Sequence, residues 1–263
     1  MAIQTNLKNK TAIITGGSKG IGWETAKEMI KEDMNVVLIS RSQKVLESRL
    51  EELDKYRKKV RIFPCDLTIP ESAKEIPKYC FSEFKKIDIL VNSAGSAKGG
   101  LFLDIPDKDW EDSFSLKFFG TMRIIRSVIP YMKNHKDGRI VNVIGDTGKK
   151  PNKLMLPGSS VNAALLSITK GLADELGEYR IRINAVSPGP TKTERIVNMF
   201  KSLAESTNKT IKEIELEFLN ENIIKKLADP KDIAYLILYL CSDISKNITG
   251  TTITSDGGRS KFI

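Results

Sequence analysis

Histidine occurs once in this chain, and cysteine three times, at positions 65, 80 and 241. An odd, scattered set of thiols supports neither a disulfide framework nor a metal cluster, and it suits a reducing compartment. The lone imidazole, His135, stands in Asn134-His135-Lys136-Asp137-Gly138, a turn leading into an apolar run, and is read as structural. No apolar run approaches the ~20 residues that a membrane helix needs. The opening residues, MAIQTNLKNK, hold no apolar stretch, so no secretory signal is expected and a cytoplasmic location is. Lysine and arginine outnumber the acids by 42 to 33, a net charge of +9, yet there is no basic block. The lysines alternate with glutamates, as in EELDKYRKK and KTIKEIELE, which is the pattern of a solvated surface rather than a nucleic-acid footprint. With 40% hydrophobic and 29% charged residues in 263, the balance is that of a globular chain with a real core.

What is present is an alternation of short apolar runs and amphipathic stretches. TAIIT at 11–15 is followed by a glycine-rich turn and a helical pattern from Trp23 to Glu32. NVVLIS at 35–40 follows, then Leu46, Leu50 and Leu53 at helical spacing, then VRIFPC ending at Cys65. IDILV at 87–91, RIVNVI at 139–144, IRINAVS at 181–187 and TTITS at 251–255 complete the apolar runs. Leu165, Ile168, Leu172 and Leu176 mark one helical stripe, and Ile233, Leu236, Ile237 and Leu240 another. Strands this apolar, alternating with helices, predict a single doubly wound α/β domain over 1–263. Its parallel sheet has about seven strands, with helices on both faces. Residues 191–228 depart from the alternation, being charged, helical in pattern and poor in core signal, and are a candidate substrate lid.

The turn after the first run reads Thr15-Gly16-Gly17-Ser18-Lys19-Gly20-Ile21-Gly22 and opens a helix. In that context the glycines have separate uses. Gly16 permits a sharp turn, Gly20 presents no side chain to a pyrophosphate, and Gly22 lets the helix lie close to the sheet. The helix N-terminus then faces the phosphates. A site for NAD(H) needs an acid at the end of the second strand, where Ile39-Ser40-Arg41-Ser42 offers an arginine instead. Lys19 and Arg41 together suit a 2′-phosphate, so NADP(H) is the expected cofactor, and no metal is expected.

These motifs resemble the short-chain dehydrogenase/reductase family, and the resemblance extends over about residues 7–258. TGGSKGIG is similar to that family's cofactor fingerprint, and Asp66-Leu67 to its adenine-contacting pair. Asn92-Ser93-Ala94-Gly95 stands where the family has Asn-Asn-Ala-Gly. Pro188-Gly189-Pro190-Thr191 resembles the segment at the nicotinamide end, and Asp256-Gly257-Gly258 the C-terminal Asp-Gly-Gly. The resemblance implies that Gly16, Ser18, Lys19, Gly20, Ile21, Gly22, Arg41, Asp66, Leu67, Asn92, Ala94, Gly95, Asn162, Pro188, Gly189 and Thr191 bind the cofactor. It implies carbonyl reduction or alcohol oxidation as the chemistry. It also implies a homodimer or homotetramer, or a mixed oligomer with an active relative, through the helix at 158–178.

The family moves its proton with a tyrosine, whose phenol is a poor base at neutral pH unless a lysine one helical turn on favours its anion. A serine orients the carbonyl and an asparagine supports a water relay. Here the tyrosine position holds Gly158, the lysine position Asn162, the serine position Gly145 and the asparagine position Lys117. The absence does not depend on the alignment, because none of Tyr56, Tyr79, Tyr131, Tyr179, Tyr235 and Tyr239 is followed by lysine four residues later.

Lys117 is the candidate replacement acid or base, since a desolvated lysine has a lowered pKa. Ser159 could hold a substrate oxygen, although it and Ser160 are better placed as helix N-caps. Asn162 could donate to the nicotinamide ribose where the family has an ammonium. Asp146, Lys149 and Lys153 border the same region and are expected to be solvated. Three functions follow: an NADP(H)-dependent oxidoreductase with a non-standard proton donor, a catalytically inactive NADP(H)-binding sensor or partner subunit, and a lyase or isomerase with Lys117 as base. The first is preferred, because the nicotinamide-end segment is intact.

Overall fold

The structure, a computed structural model, describes residues 4–96 and 98–261. Its centre is a sheet of strands β1 (Thr11–Thr15), β2 (Asn35–Ser40), β3 (Val60–Pro64), β4 (Ile89–Asn92), β5 (Gly138–Val143), β6 (Ile181–Pro188) and β7 (Thr252–Ser255). The strands are parallel and lie in the order β3-β2-β1-β4-β5-β6-β7, the expected seven-stranded doubly wound sheet. Alternate side chains of the apolar runs feed the two faces. Ile14, Val36 and Leu38 meet Trp23, Ala26 and Met29 of α1 (Gly20–Lys31) and Ile233 and Ile237 of α9 (Pro230–Cys241). On the other face Ile13, Val37 and Leu90 meet Ile76 and Cys80 of α3 (Ser72–Phe84), Ile124 and Val128 of α5 (Gly120–His135) and Leu176 of α6 (Leu156–Gly177).

Several boundaries differ from the periodic reading. β3 stops at Pro64, one residue before Cys65, and α1 starts at Gly20 rather than Trp23. The helix thus begins within the glycine turn, and the first N–H groups of a helix have no partner inside it. α4 (Asp107–Ser113) runs into α5 through a π-helical turn at Phe114–Phe119, which widens the helix where Lys117 stands.

The 191–228 segment differs from the expectation of weak core signal. It forms α7 (Glu194–Thr207) and α8 (Ile211–Glu221), and Ile196, Phe200, Leu203, Ala204 and Ile214 bury themselves as a cluster of their own. A capping box between Thr210 and Glu213 starts α8. Among the described residues no helix is long and apolar enough to cross a membrane, and no group of His, Cys, Asp or Glu could hold a metal.

Candidate active site

The register aligns the carboxyl ends of the strands, with Thr15 beside both Ile39 and Asn92, Asn92 beside Asn142, and Val143 beside Val186. The loops after β1, β4, β5 and β6 therefore emerge at one edge, where the strand order reverses between β1 and β4. Such switch points form ligand crevices.

On the β1 side the phosphate turn needs its glycines. Gly16 has φ +66°, and a Cβ there would come within 2.9 Å of the Ala94 backbone N. Gly20 has φ +53° and faces Thr193, 3.1 Å from where its Cβ would be. Ser18 is buried, donating its hydroxyl to Ser40 Oγ at 2.9 Å. Its carbonyl accepts from Arg49 Nε at 2.9 Å, and that guanidinium lies 4.9 Å over the Trp23 ring. Sequence reading missed Arg49, whose only signal is its place in the last turn of α2 (Gln43–Glu52). Ile21 packs on the core, so its part in a cofactor site is made through its backbone. Lys19 pairs with Glu194 at 2.7 Å, both exposed, and Arg41 is exposed just past β2.

Farther along the crevice, Asp66 Oδ1 accepts from Thr68 N and Oγ1 at 2.9 and 2.8 Å, and Leu67 is buried against Gly120. Ala94 N donates to Thr15 Oγ1 at 3.3 Å. Asn92 donates to Asn142 Oδ1 at 2.9 Å, and its own Oδ1 is buried without a partner among the described residues, as is Ser187 Oγ. Pro188 ends β6, Gly189 leaves only 2.8 Å between its would-be Cβ and Asp256 Cα, and Thr191 Oγ1 donates to Gly189 O at 2.9 Å.

The proton-handling end is built around Lys117. The π turn carries it inward, and its side chain is buried rather than reaching solvent. Its stem lies on Gly95, where a Cβ would approach Lys117 Cδ to 2.8 Å. Its Nζ donates to Asn162 Oδ1 at 2.5 Å, and Asn162 Nδ2 donates to Thr147 Oγ1 at 2.9 Å. Asn162 fits between two glycines, with would-be Cβ atoms 3.1 Å from Nδ2 at Gly145 and 2.9 Å from its Cβ at Gly148. Burial, with the positive charge of Arg195 as the second cause, pulls the Lys117 ammonium down to about 7. Arg195 Nη1 donates to Gly95 O at 3.2 Å, so both cations flank Gly95.

Other expectations are corrected. Ser159 and Ser160 are not N-caps, because Met155 occupies that position of α6. Ser159 is buried with its hydroxyl donated to Met155 O at 3.0 Å and accepting from Asn152 N at 3.3 Å, so its proton is committed to the loop. Asp146 is not solvated. It is buried and paired at 2.5 Å with Arg259, which is itself buried and reaches Glu221 at 2.8 Å. Lys149 and Lys153 are exposed, as expected. His135 Nε2 lies 3.0 Å from Ile87 O, just before β4, at the opposite end of the sheet from the crevice. Burial pushes the Cys65 thiol up to about 11, which suits a structural role.

Comparison with known proteins adds four findings of one kind. The family described as short chain dehydrogenase matches residues 10–204. The uncharacterized oxidoreductase YvaG of Bacillus subtilis is 30% identical over 262 residues, covering 97% of this chain and 98% of its own. The 2,3-dihydro-2,3-dihydroxybenzoate dehydrogenase of the same organism is 33% identical over 253 residues, covering 96% of each. Among solved structures, L-sorbose reductase from Gluconobacter frateurii, complexed with NADPH and L-sorbose, superposes with a TM-score of 0.92 at 27% identity, covering 99% of this chain and 100% of that one.

Proposed function

Because the chain belongs to the short-chain dehydrogenase family, we propose that it is an NADP(H)-dependent oxidoreductase acting on a carbonyl or hydroxyl carbon, with Lys117 in place of the family's tyrosine. The observation that carries this reading is the burial of Lys117 at the crevice with its ammonium held by Asn162. An amine with a pKa of about 7 both gives and takes a proton near neutrality, which a phenol near ~10 does not do without help.

The residues present fit a phosphorylated dinucleotide. The bare backbone at Gly16 and Gly20 forms a cradle that a Cβ would fill, and the partnerless Asn92 Oδ1 and Ser187 Oγ offer buried polar atoms to a ligand. In this reading Gly16 to Gly22 hold the pyrophosphate, Lys19 and Arg41 the 2′-phosphate, and Asp66 and Leu67 the adenine. Asn92, Ala94, Gly95, Asn162, Pro188, Gly189 and Thr191 line the nicotinamide half. When bound, the nicotinamide supplies or takes the hydride. Lys117 holds the proton at Nζ, and Asn162 fixes that atom. The reductase bound to NADPH among the similar structures supports the same cofactor choice.

Against the family's pattern, positions 117 and 162 have exchanged lysine and asparagine, so the ammonium is kept while the phenol and the serine hydroxyl are lost. Self-association is part of the proposal. Ala163, Ser167 and Gly171 form an exposed small-residue stripe on α6, and Phe102, Leu103 and Phe119 are exposed beside α4 and α5. A homodimer or homotetramer suits both.

The test is NADPH oxidation over a broad carbonyl panel, for the native protein and Lys117→Met. Loss of general acid catalysis costs ~10²–10⁴-fold, and a fall of that size with NADPH binding intact is expected. Undiminished turnover in the variant overturns the role of Lys117. No turnover on any carbonyl, with NADPH bound, favours the sensor or partner-subunit reading, and turnover without change in the cofactor favours a lyase or isomerase.

A further inference from the structure

Most carboxylates around the crevice already have a cation, and Asp66 and Asp256 are held instead by hydrogen bonds from Thr68, Gly258 and Ser260. Glu194, next to Arg195, is held by Lys19 at 2.7 Å. Asp146 is held by Arg259 at 2.5 Å, and Glu221 by Lys150 and Arg259, each at 2.8 Å. Asp109 is held by Lys98 at 2.8 Å. Two cations without an ion pair, Lys117 at the floor and Arg195 at the mouth, both touch Gly95, one through its stem and one through a hydrogen bond to the carbonyl. Among the described residues neither forms an ion pair, and Asn162 and Gly95, both uncharged, are their hydrogen-bond partners. Each group has donors to spare, three N–H on an ammonium and five on a guanidinium.

An unbalanced pair of cations in a crevice is costly without an anion, because each raises the cost of charging the other. The depressed ammonium of Lys117, with Arg195 as its second cause, is the same cost seen from the protein side. In the family's arrangement, the lysine's charge is answered by a phenolate. With glycine at 158 that answering charge is gone from the chain and has to come from the ligand.

We propose that Lys117 and Arg195 form the seat for a carboxylate of the substrate, so that the molecule turned over is an oxo or hydroxy acid rather than a neutral ketone or alcohol. This rests on the oxidoreductase reading for the word substrate, but not for the anion site. The guanidinium offers a planar fork to two carboxylate oxygens at the mouth, and the ammonium offers single donors below it. Lys117 then holds its proton more firmly when the anion is present, since an opposite charge beside it raises its pKa again.

The test compares 3-oxobutanoate with its uncharged counterpart, methyl 3-oxobutanoate. Calorimetry measures binding to the protein alone and to its NADP⁺ complex. The acid is expected to bind about tenfold or more tightly than the ester, and Arg195→Gln and Lys117→Met are each expected to bring the two within about twofold. Titration at pH 7.5 in buffers of different ionisation enthalpy should show proton uptake on binding the acid, absent in Lys117→Met. Equal binding of acid and ester, binding of neither, or a preference that survives Arg195→Gln overturns the proposal. If Arg195→Gln instead weakens NADP⁺ and leaves the acid's advantage intact, the guanidinium serves the cofactor's pyrophosphate and the proposal also falls. Failure to bind NADP⁺ at all would remove the oxidoreductase reading, while the acid-over-ester comparison on the protein alone still decides the anion site.

Discussion

Lys117 Nζ and Asn162 Oδ1 meet at 2.5 Å although the two residues lie 45 positions apart, one on the π turn before α5 and the other on α6. The bond ties a cation from one helix to a neutral amide on the next, and the amide passes the polarisation on to Thr147. Four predictions follow from this bond and its surroundings.

Lys117 makes stability depend on pH in a defined direction. Its folded pKa of about 7 lies below the ~10.4 of an unfolded lysine, so between those values the unfolded chain binds more protons. Stability therefore rises with pH through that window. Lys117→Met removes the dependence, and its melting temperature should exceed the native one most near pH 7, by the equivalent of ~2–4 kcal/mol, with the gap closing towards pH 10. Parallel melting curves for the two proteins across pH 7–10 would show that the ammonium is not desolvated.

Thr147 should matter to turnover through its hydroxyl. Its Oγ1 accepts from Asn162 Nδ2, which leaves its own proton free to donate, and it lies 4.0 Å from where a Cβ on Gly145 would be. Position 145 is where the sequence aligns with the family's serine, and in the proposed reading the Thr147 hydroxyl takes its place. Thr147→Val is expected to lower kcat about tenfold or more with NADPH affinity unchanged, and Thr147→Ser to restore most of it. A valine variant with native kcat would remove Thr147 from the site.

Arg259 holds the C-terminal segment against the loop after β5. Its removal leaves buried Asp146 without a counter-charge, so Arg259→Leu should cost ~3–5 kcal/mol, read as a large fall in the denaturation midpoint. The double variant Asp146→Leu with Arg259→Leu should lose clearly less. A double variant as unstable as the single one would mean that packing on Phe218, 5.3 Å from the guanidinium, is what matters.

Rebuilding the family's pattern should depend on the order of substitution. Gly158→Tyr with Asn162→Lys alone brings a second ammonium to the one already at 117, and like charges in a buried site disfavour both. Gly145→Ser alone presses on Asn162, 3.1 Å from the new Cβ. Adding Lys117→Asn relieves the first conflict, and replacing Asn162 relieves the second. The fourfold variant is expected to reduce carbonyls faster than the double variant by tenfold or more; equal rates would show that the positions do not meet as the alignment places them.

The sheet and its order of elements were legible in the sequence because their causes are local. A run such as NVVLIS has to be buried on both faces, and TGGSKGIG can make its turn only with glycine at Gly16 and Gly20, both of which have positive φ. The 191–228 segment was half legible. Met199, Phe200, Leu203 and Phe218 stood out as apolar, but Ile196 and Ile214, which join them in one cluster, come from the start of the same helix and from the next helix. Ser159 was misread because an N-cap depends on where the helix starts, and the Pro157-Gly158 step let α6 start at Leu156.

The sequence by itself determined the layered α/β architecture, the glycine cradle at the crevice and the lack of any tyrosine followed by lysine four residues later, since each is a matter of residue type and short-range spacing. Only the tertiary structure decided what Lys117 is. A lysine's charge state is set by how much water it loses and by which charges stand near it. Here those are fixed by the inward face of its π turn, by Asn162 from α6 and by Arg195 from α7, the last two far from it along the chain.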